Sequence, residues 1–313
     1  MKQNAVIWNF EELENLKSEV FETKINQKKF KLRWSIDRIT VVGNIPYDFG
    51  ELADYLIKNG FAVDEYGSSF SLVDKFKENY AYVEFIKFQK ETENKVRLDF
   101  NPNKLFAGNS ERLKCFFDFL FYDAHFSRLD VAVDLFNLND SFFENTTSVD
   151  VINKAFFYGR INQLETIYFG SRGSRRQIRL YNKQIEQEQK KEFIPKEIKS
   201  WWRLEFQLRG EKTEDWINSI KESLDKLIFS WKVSDELSLN DQMKLEALKT
   251  KPSFLSKMDT KTRSKYRKLL MESKDDEDMN LKEILFRTFE ESMPSIEKEL
   301  KDWKKIFEAK YAE

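Results

Sequence analysis

The sequence predicts an α+β protein, in which a curved and mostly antiparallel sheet with one polar face is joined to a helical C-terminal unit. Three segments alternate apolar and polar residues as strands do, and they supply the polar face: Ser127–Phe136, Arg176–Gln184 and Trp201–Gly210. Large apolar residues spaced as on one helix face, from Ile296 to Phe307, predict a C-terminal helix. Hydrophobic residues make up 41% of the 313 residues, which is too many for a disordered chain.

Regular structure is expected to begin at Ile39, after a segment with only a weak helical pattern from Phe10 to Phe21. Ile39–Val42 is a β-branched run followed by Gly43-Asn44, which predicts a short strand and a turn. Alternation then predicts strands over Tyr80–Phe88 and Lys95–Phe100. Helical spacing predicts helices over Leu52–Leu56 and Leu113–Phe121. Near the C-terminus, Ser292 and Pro294 predict that the last helix begins there.

Cysteine and histidine each occur once, as Cys115 and His125. One cysteine excludes an internal disulfide, and one histidine excludes zinc motifs that need two. Any metal must therefore be held mainly by carboxylates, for which Mg²⁺ or Mn²⁺ is the expected cofactor. Neither phosphate-binding glycine motif, GxxxxGK[ST] or GxGxxG, is present, which argues against binding of ATP and dinucleotides.

Charge and hydropathy set further limits on function. The chain has 53 basic and 54 acidic residues, so it has no overall field that would attract nucleic acid, and any nucleic-acid site must be a local patch. No apolar run approaches the ~20 residues of a membrane span, and acidic residues lie where a signal peptide would be apolar. We therefore expect a cytoplasmic protein without a membrane partner.

The polar face of the predicted sheet collects groups that could form a catalytic site. They are Asp130, Asp134, Glu205, Tyr181, Arg179, Lys183 and Arg203. Carboxylates suit a hard divalent cation, and nearby positive charge stabilises a tyrosine phenolate and so makes it a better nucleophile. The alternative is an ordinary solvated sheet face with cross-strand ion pairs. The pattern alone leaves both interpretations open.

Two basic clusters are candidates for binding nucleic-acid phosphates. The first comprises Arg172, Arg175 and Arg176, and the second comprises Lys257, Lys261, Arg263, Lys265, Arg267 and Lys268. Guanidinium groups bind phosphate through paired hydrogen bonds, which would anchor a nucleic-acid backbone. A solvated surface explains both clusters equally well. Tyr266, inside the second cluster, is either a base-stacking residue or part of the core.

Seven stretches, taken in order, resemble a known family of proteins. They are TVVGN (Thr40–Asn44), VRLDFNPNKL (Val96–Leu105), FSRLDVAVDLF (Phe126–Phe136), FYGR (Phe157–Arg160), ETIYFGSR (Glu165–Arg172), IRLYNK (Ile178–Lys183) and WRLEFQLR (Trp202–Arg209). In these residues the chain resembles the trans-acting Rep family, the replication initiators of rolling-circle plasmids of Gram-positive bacteria.

The resemblance implies a DNA strand-transferase that nicks its plasmid's double-strand origin. The tyrosine of the family's R-[IL]-Y-N-K strand, here Tyr181, attacks a phosphodiester and leaves a 5′-phosphotyrosyl adduct and a free 3′-OH that primes synthesis. The acidic positions of the R-L-D and W-R-x-E strands imply Asp130 and Glu205 as metal ligands, with Asp134 as a third. Arg172, Arg179, Arg203 and Lys183 would bind phosphates or stabilise charge in the transition state.

The family also implies partners and a division of the chain. Its members act as dimers and recruit a host superfamily 1 DNA helicase, and a C-terminal basic stretch, here Lys257–Lys268, chooses the origin. We therefore expect a variable N-terminal segment over 1–36, a catalytic domain over 37–235 and a helical region with the origin-recognition segment over 236–313. Two alternatives remain: a relaxase of a conjugative or integrative element with the same chemistry, and a DNA-binding protein without enzymatic activity.

Overall fold

Thirteen strands and eight helices make up the part of the chain that the computed structural model describes, which is residues 19–45, 48–58, 62–73, 79–86, 94–103, 121, 123–150, 153–160, 162–251 and 253–308. The strands are β1 (Val20–Ile25), β2 (Lys28–Ile45), β3 (Ala62–Tyr66), β4 (Ser69–Val73), β5 (Asn79–Ile86), β6 (Asn94–Phe100), β7 (Asp123–Phe136), β8 (Thr147–Ser148), β9 (Lys154–Tyr158), β10 (Leu164–Phe169), β11 (Arg176–Asn182), β12 (Trp201–Arg209) and β13 (Leu227–Ile228). The helices are α1 (Phe49–Lys58), α2 (Ser141–Glu144), α3 (Lys183–Gln189), α4 (Trp216–Lys226), α5 (Leu239–Thr250), α6 (Phe254–Lys257), α7 (Thr260–Glu272) and α8 (Asp276–Glu308).

The chain divides into two compact units, and each is described by itself. Unit 1 comprises Met1–Ser35, Ala132–Gln207 and Asp215–Met293, and unit 2 comprises Ile36–Val131, Leu208–Glu214 and Pro294–Glu313. Strands β2, β7 and β12 and helix α8 contribute residues to both units. The two units are defined by how compactly the residues pack, and the predicted segments are defined by function. The segments over 1–36, 37–235 and 236–313 therefore stay predictions.

Unit 2 is a sheet in the strand order β3-β4-β5-β6-β2-β7, antiparallel from β3 through β2. Helix α1 buries Leu52 and Leu56. Its first turn is closed by a capping box, because Asp48 accepts from the amide of Glu51 at 2.8 Å and Glu51 accepts from the amide of Asp48 at 2.9 Å. These elements confirm the predicted strands near 80–88 and 95–100 and the helix at Leu52–Leu56.

Unit 1 contains a sheet in the order β2-β7-β12-β11-β10-β9, with β1 paired to β2. Its apolar face packs on helix α8, where the Trp34 ring lies 4.9 Å from the Phe289 ring and its indole N–H donates to Thr288 Oγ1 at 3.1 Å. Alternation places Trp34 and Arg33 on opposite faces of β2. The packing of α8 on one face therefore directs the polar side chains of β2, β7, β12 and β11 to the other face.

A helical subdomain in unit 1 is formed by α5, α6 and α7 around its own apolar core. Its buried residues are Val149, Ile228, Trp231, Leu245, Leu248, Leu255, Tyr266 and Leu270. This confirms the helical C-terminal region and the α+β class. None of the described helices is long and apolar enough to cross a membrane.

The long strand β2 corrects the expectation that regular structure begins at Ile39. It begins at Lys28, and Gly43 and Asn44 pair with β6 inside the sheet, so they form no turn. The weak helical pattern was also wrong at Phe21, which lies in β1. The rest of that pattern, and the predicted helix at 113–121 except its last residue, lie outside the described residues.

Helix α8 also differs from the prediction, because it begins at Asp276 and passes through Pro294 without a break. Three acidic residues in its first turn favour an N-terminus there, since they oppose the positive end of the helix dipole. A proline inside a helix removes one backbone hydrogen bond. The helix nevertheless continues to Glu308.

Candidate active site

Tyr181 lies on β11 beneath two cations. The Arg179 guanidinium carbon is 3.7 Å from the centre of the Tyr181 ring, and the Lys183 ammonium nitrogen is 5.6 Å from it. Arg179 and Tyr181 share a face of β11 because they are two residues apart. Tyr181 is 3% exposed, so this is a largely desolvated cation–π cluster. Positive charge at this distance stabilises a phenolate and suits a tyrosine nucleophile.

Arg179 connects the tyrosine to an acidic group on the neighbouring strand. Its guanidinium lies 3.8 Å from Glu205 of β12. Burial by itself lowers the pKa of Arg179, but the nearby Tyr181 and Glu205, with two further groups, raise it. The Nε atom of Arg179 is buried and has no hydrogen-bond acceptor among the described residues. Arg179 therefore stays charged and has an N–H available for an anionic ligand.

Lys183 begins a helix, which differs from the predicted continuation of the strand. Asn182 caps helix α3, because its side-chain oxygen accepts from the amide of Ile185 at 3.0 Å. Lys183 then forms an ion pair with Glu186. Burial raises the pKa of Glu186, but Lys183 and Lys190 together lower it to about 2. The turn from β11 into α3 thus holds a charged lysine beside the Tyr181 ring.

Asp134 is the centre of a buried ion cluster on the same sheet face. Its carboxylate accepts two hydrogen bonds from Arg203, at 2.7 and 2.8 Å, one from Trp201 at 2.8 Å and one from Arg33 at 3.2 Å. Burial raises the pKa of Asp134, but the two arginines and the indole N–H outweigh burial and hold it well below its usual range. Arg203, predicted as a catalytic residue, is therefore fixed by Asp134.

The three predicted metal ligands each have polar partners in the structure. Glu205 accepts from Gln207 at 2.5 Å in addition to its contact with Arg179. Asp130 belongs to unit 2, where it accepts from Arg128 at 2.6 and 2.8 Å. Across the described parts of the chain, no group of three or more His, Cys, Asp or Glu side chains is arranged to hold a metal ion. The metal role of these residues stays a prediction.

The basic turn between β10 and β11 contains two kinds of arginine. Arg172 and Arg175 are exposed, as a phosphate-binding role requires. Arg176 instead lies 2.8 Å from Asp150 and 3.6 Å from Glu222. Arg176 therefore has structural partners, and phosphate binding by Arg172 and Arg175 stays a prediction.

The second basic cluster divides in the same way. On α7, Lys261, Lys265 and Lys268 are exposed and are spaced to share one helix face, and Lys257 is exposed just before it. Lys265 donates to Asp241 at 2.7 Å. Arg263 and Arg267 are less exposed than these lysines.

Arg263 and Arg267 hold the helical subdomain together. Arg263 donates to the carbonyl oxygens of Leu255, Ser256 and Met258, at 3.1, 3.0 and 2.8 Å, and so fixes the turn between α6 and α7. Arg267 donates to the carbonyl oxygen of Asp150 at 3.2 Å. Their predicted role in DNA binding stays untested, and their geometry is that of structural residues.

Tyr266 is part of the core, as the second interpretation of this residue stated. It is 1% exposed and donates to Asp241 at 2.6 Å. Burial, followed by the contact with Asp241, raises the pKa of Tyr266 to about 12.

Sequence reasoning missed several residues that shape the site. Arg33 lies in β2, where Phe30, Leu32 and Trp34 alternate with charged residues, and this alternation is the signal for a strand. Trp201 is two residues before Arg203 on β12, which places both on one face. Phe157 and Tyr168 lie on the sheet near Tyr181. Both belong to motifs of the resemblance, FYGR and ETIYFGSR, but the motifs do not indicate their position beside Tyr181.

Comparisons with known proteins agree with the resemblance in the motifs. A family model described as replication initiation factor matches residues 142–274. A replication initiation protein of Staphylococcus aureus is 31% identical over 245 residues, covering 75% of this chain and 74% of that protein. A second one from the same species is 28% identical over 282 residues, covering 87% and 85%.

Among solved structures, a rolling circle replication initiator protein from Geobacillus stearothermophilus matches with a TM-score of 0.42 and 15% identity, covering 70% of this chain and 96% of that one. This similarity is distant, and no argument rests on it. The identity and coverage of the first Staphylococcus aureus relative are enough to show common descent. The chain therefore belongs to the trans-acting replication initiation factor family.

Proposed function

We propose that this replication initiator acts in plasmid rolling-circle replication by nicking one strand of the double-strand origin, with the Tyr181 hydroxyl as nucleophile. The observation that carries the proposal is the pair of cations at the Tyr181 ring, of which Arg179 is only 3.7 Å from the ring centre. Family membership supplies the biological setting, and the ring's surroundings supply the chemistry.

The reaction is a transesterification. The Tyr181 oxygen forms a bond to phosphorus and loses its proton, the bond from phosphorus to the 3′ oxygen breaks, and that oxygen takes up a proton to become a free 3′-OH. The positive charge of Arg179 and Lys183 offsets the negative charge on the tyrosine oxygen as the proton leaves. The unsatisfied Nε–H of Arg179 would donate to a phosphate oxygen. Because Tyr181 is 3% exposed, the groups that cover it must move when DNA binds.

Dependence on Mg²⁺ or Mn²⁺, with Asp130 and Glu205 as ligands, is carried forward as a proposal from the family resemblance. The homodimer and the host DNA helicase are carried forward in the same way.

A supercoiled plasmid carrying a candidate origin tests the proposed reaction. The full chain is incubated with it in Mg²⁺, in Mn²⁺ and in a chelator, and the DNA is examined for relaxed circles and for protein bound covalently to a 5′ end. An adduct at a 5′ end supports the tyrosine transesterification. Binding without any strand break, at the plasmid's own origin and under every metal condition, would show a DNA-binding protein without enzymatic activity.

Glu205→Gln is expected to bind origin DNA normally and to cleave it poorly. Glu205 contacts Arg179 at 3.8 Å, so loss of its charge weakens the hold on the guanidinium over the Tyr181 ring. Cleavage measured against Mg²⁺ concentration separates two roles. If Glu205 is a metal ligand, the variant needs more Mg²⁺ for half-maximal cleavage; if it acts only through Arg179, the metal requirement stays the same and the maximal rate falls. Full cleavage would remove Glu205 from the site.

Removing two exposed lysines of α7, as Lys261→Ala with Lys268→Ala, is expected to weaken origin binding and its dependence on salt. Each lost phosphate contact lowers the slope of log affinity against log salt concentration by about 0.9. The matched control is Lys298→Ala with Lys301→Ala, because these two lysines lie on helix α8 and their side chains are 78% and 71% exposed. An equal change in the salt slope for both pairs would contradict the assignment of α7 to the origin.

A further inference from the structure

We propose that Phe157 and Tyr168 form a stacking platform for unpaired bases of the DNA strand that reaches Tyr181. The inference rests on the proposed function, in which single-stranded DNA is cut at Tyr181, and adds a binding site for the bases beside the cut. Its ligand is unpaired DNA, because the bases of a duplex are stacked on one another and offer no free face.

The strand register places the two aromatic residues beside the nucleophile. Thr166 of β10 is paired with Tyr181 of β11 on one side and with Phe157 of β9 on the other. Residues directly opposite in antiparallel strands lie on the same face of the sheet. Tyr168, two residues after Thr166, is on that face too. Phe157, Tyr168 and Tyr181 therefore share one face of the β9-β10-β11 sheet.

A register shift lies next to Phe157 at the end of β9. The pairing is Leu164 with Tyr158 at one end of β10, and the register shifts between Leu164 and Thr166. Phe157 lies on the continuous side of the shift, in register with Thr166–Phe169, so it shares the face of Thr166 and Tyr168.

The side chains on this face are in contact from the sheet edge to the nucleophile. The ring centres of Phe157 and Tyr168 are 5.7 Å apart with an edge-to-face geometry. The Arg179 guanidinium carbon is 5.8 Å from the Tyr168 ring centre and 3.7 Å from that of Tyr181. Along this row, the rings of Phe157 and Tyr168 offer surfaces for stacking of bases, and Arg179 offers a cation for phosphate.

Exposure falls along the row, as expected for a path that leads inward. Phe157 is 54% exposed on edge strand β9, Tyr168 is half-buried and Tyr181 is 3% exposed. Arg172 and Arg175 are exposed in the turn of the β10-β11 hairpin that carries Tyr168 and Tyr181. Exposed aromatic rings beside positive charge match a single strand, which presents both bases and phosphates.

The affinity of the full chain for a labelled oligothymidine tests the platform, in a Tyr181→Phe background so that no covalent capture occurs. Phe157→Ala is expected to lower the affinity about 5- to 150-fold, the range for loss of one stacked base, and Phe157→Trp to restore it. Tyr158→Ala is the matched control, because Tyr158 is the next residue of β9, is 57% exposed and points to the opposite face. It should leave the affinity unchanged.

Three outcomes would overturn the platform: unchanged affinity in Phe157→Ala, an equal loss in Tyr158→Ala, or a loss that affects a duplex of the same length as strongly. The same variants are also examined by sedimentation, which measures their oligomeric state. If the oligomeric state changes and the affinity does not, the edge strand β9 is a contact between copies of the chain, and the platform is contradicted. Nicking by the wild type is measured separately. If nicking fails while the Phe157 effect persists, the proposed reaction fails and the platform stands.

Discussion

Tyr181→Phe is expected to bind origin DNA and leave it unbroken. The substitution removes one oxygen and keeps the ring, so the contact of Arg179 with the ring face is preserved. Without the hydroxyl no bond to phosphorus can form, and the rate of adduct formation should fall about 10³-fold or more. Covalent protein–DNA adduct on denaturing gels, with binding measured in parallel, checks the prediction.

Tyr158→Phe is the matched control for this experiment. It removes a tyrosine hydroxyl from β9, on the face opposite Tyr181, and it should form the adduct at the wild-type rate. An adduct that persists in Tyr181→Phe would assign the nucleophile to another residue. Loss of the adduct in both variants would point to a general effect on the sheet.

Asp134→Asn is expected to destabilise the protein by about 3–5 kcal/mol, because it removes the negative charge that two buried arginines contact. Side chains of Arg33 and Arg203 are 4% and 7% exposed, so water cannot take the place of the lost carboxylate. The free energy of unfolding in urea measures the change. Asp225→Asn is the control: Asp225 is 53% exposed and pairs with Lys226, so its substitution should change stability by about 0–1 kcal/mol.

The same cluster sets a pH dependence. The pKa of Asp134 is lower in the folded chain than in the unfolded chain. Its contribution is therefore fully present above the unfolded-state pKa of about 3.9 and is lost as the pH falls through the lower folded-state pKa. If Asp134→Asn keeps its stability and loses metal-dependent cleavage, the carboxylate is a metal ligand, as the family resemblance implied.

The sequence predicted the strands of the site well and their partners poorly. Alternation alone located the strands of Asp134, Tyr181 and Arg203, because each has a continuous apolar face. Asp130 and Asp134 look equivalent in the sequence. Asp134 accepts from Arg33, about a hundred residues earlier in the chain, whereas Asp130 accepts from Arg128 of its own strand. The pattern within one strand cannot reveal which distant strand pairs with it.

Other features escaped for local reasons. Asn182 ends β11 by capping α3, and this turns Lys183 out of the strand pattern that the alternating residues suggested. Phe157 and Tyr181 share a face through their common partner Thr166, and no periodicity within β9 or β11 indicates that pairing. Arg263 and Arg176 carry the same charge as their more exposed neighbours, so only burial and hydrogen bonds identify them as structural arginines.

Tyr266 has a chemical consequence for the basic helix that surrounds it. A phenol with a pKa of about 12 remains protonated across the range in which the protein functions, and its single proton is held by Asp241. Tyr266 should therefore react neither with phenolate-selective reagents nor with a DNA phosphodiester. If Tyr181 is the nucleophile, proteolytic digestion of the covalent adduct should leave the α7 peptide, which contains Tyr266, unmodified and keep the DNA on the peptide of β11.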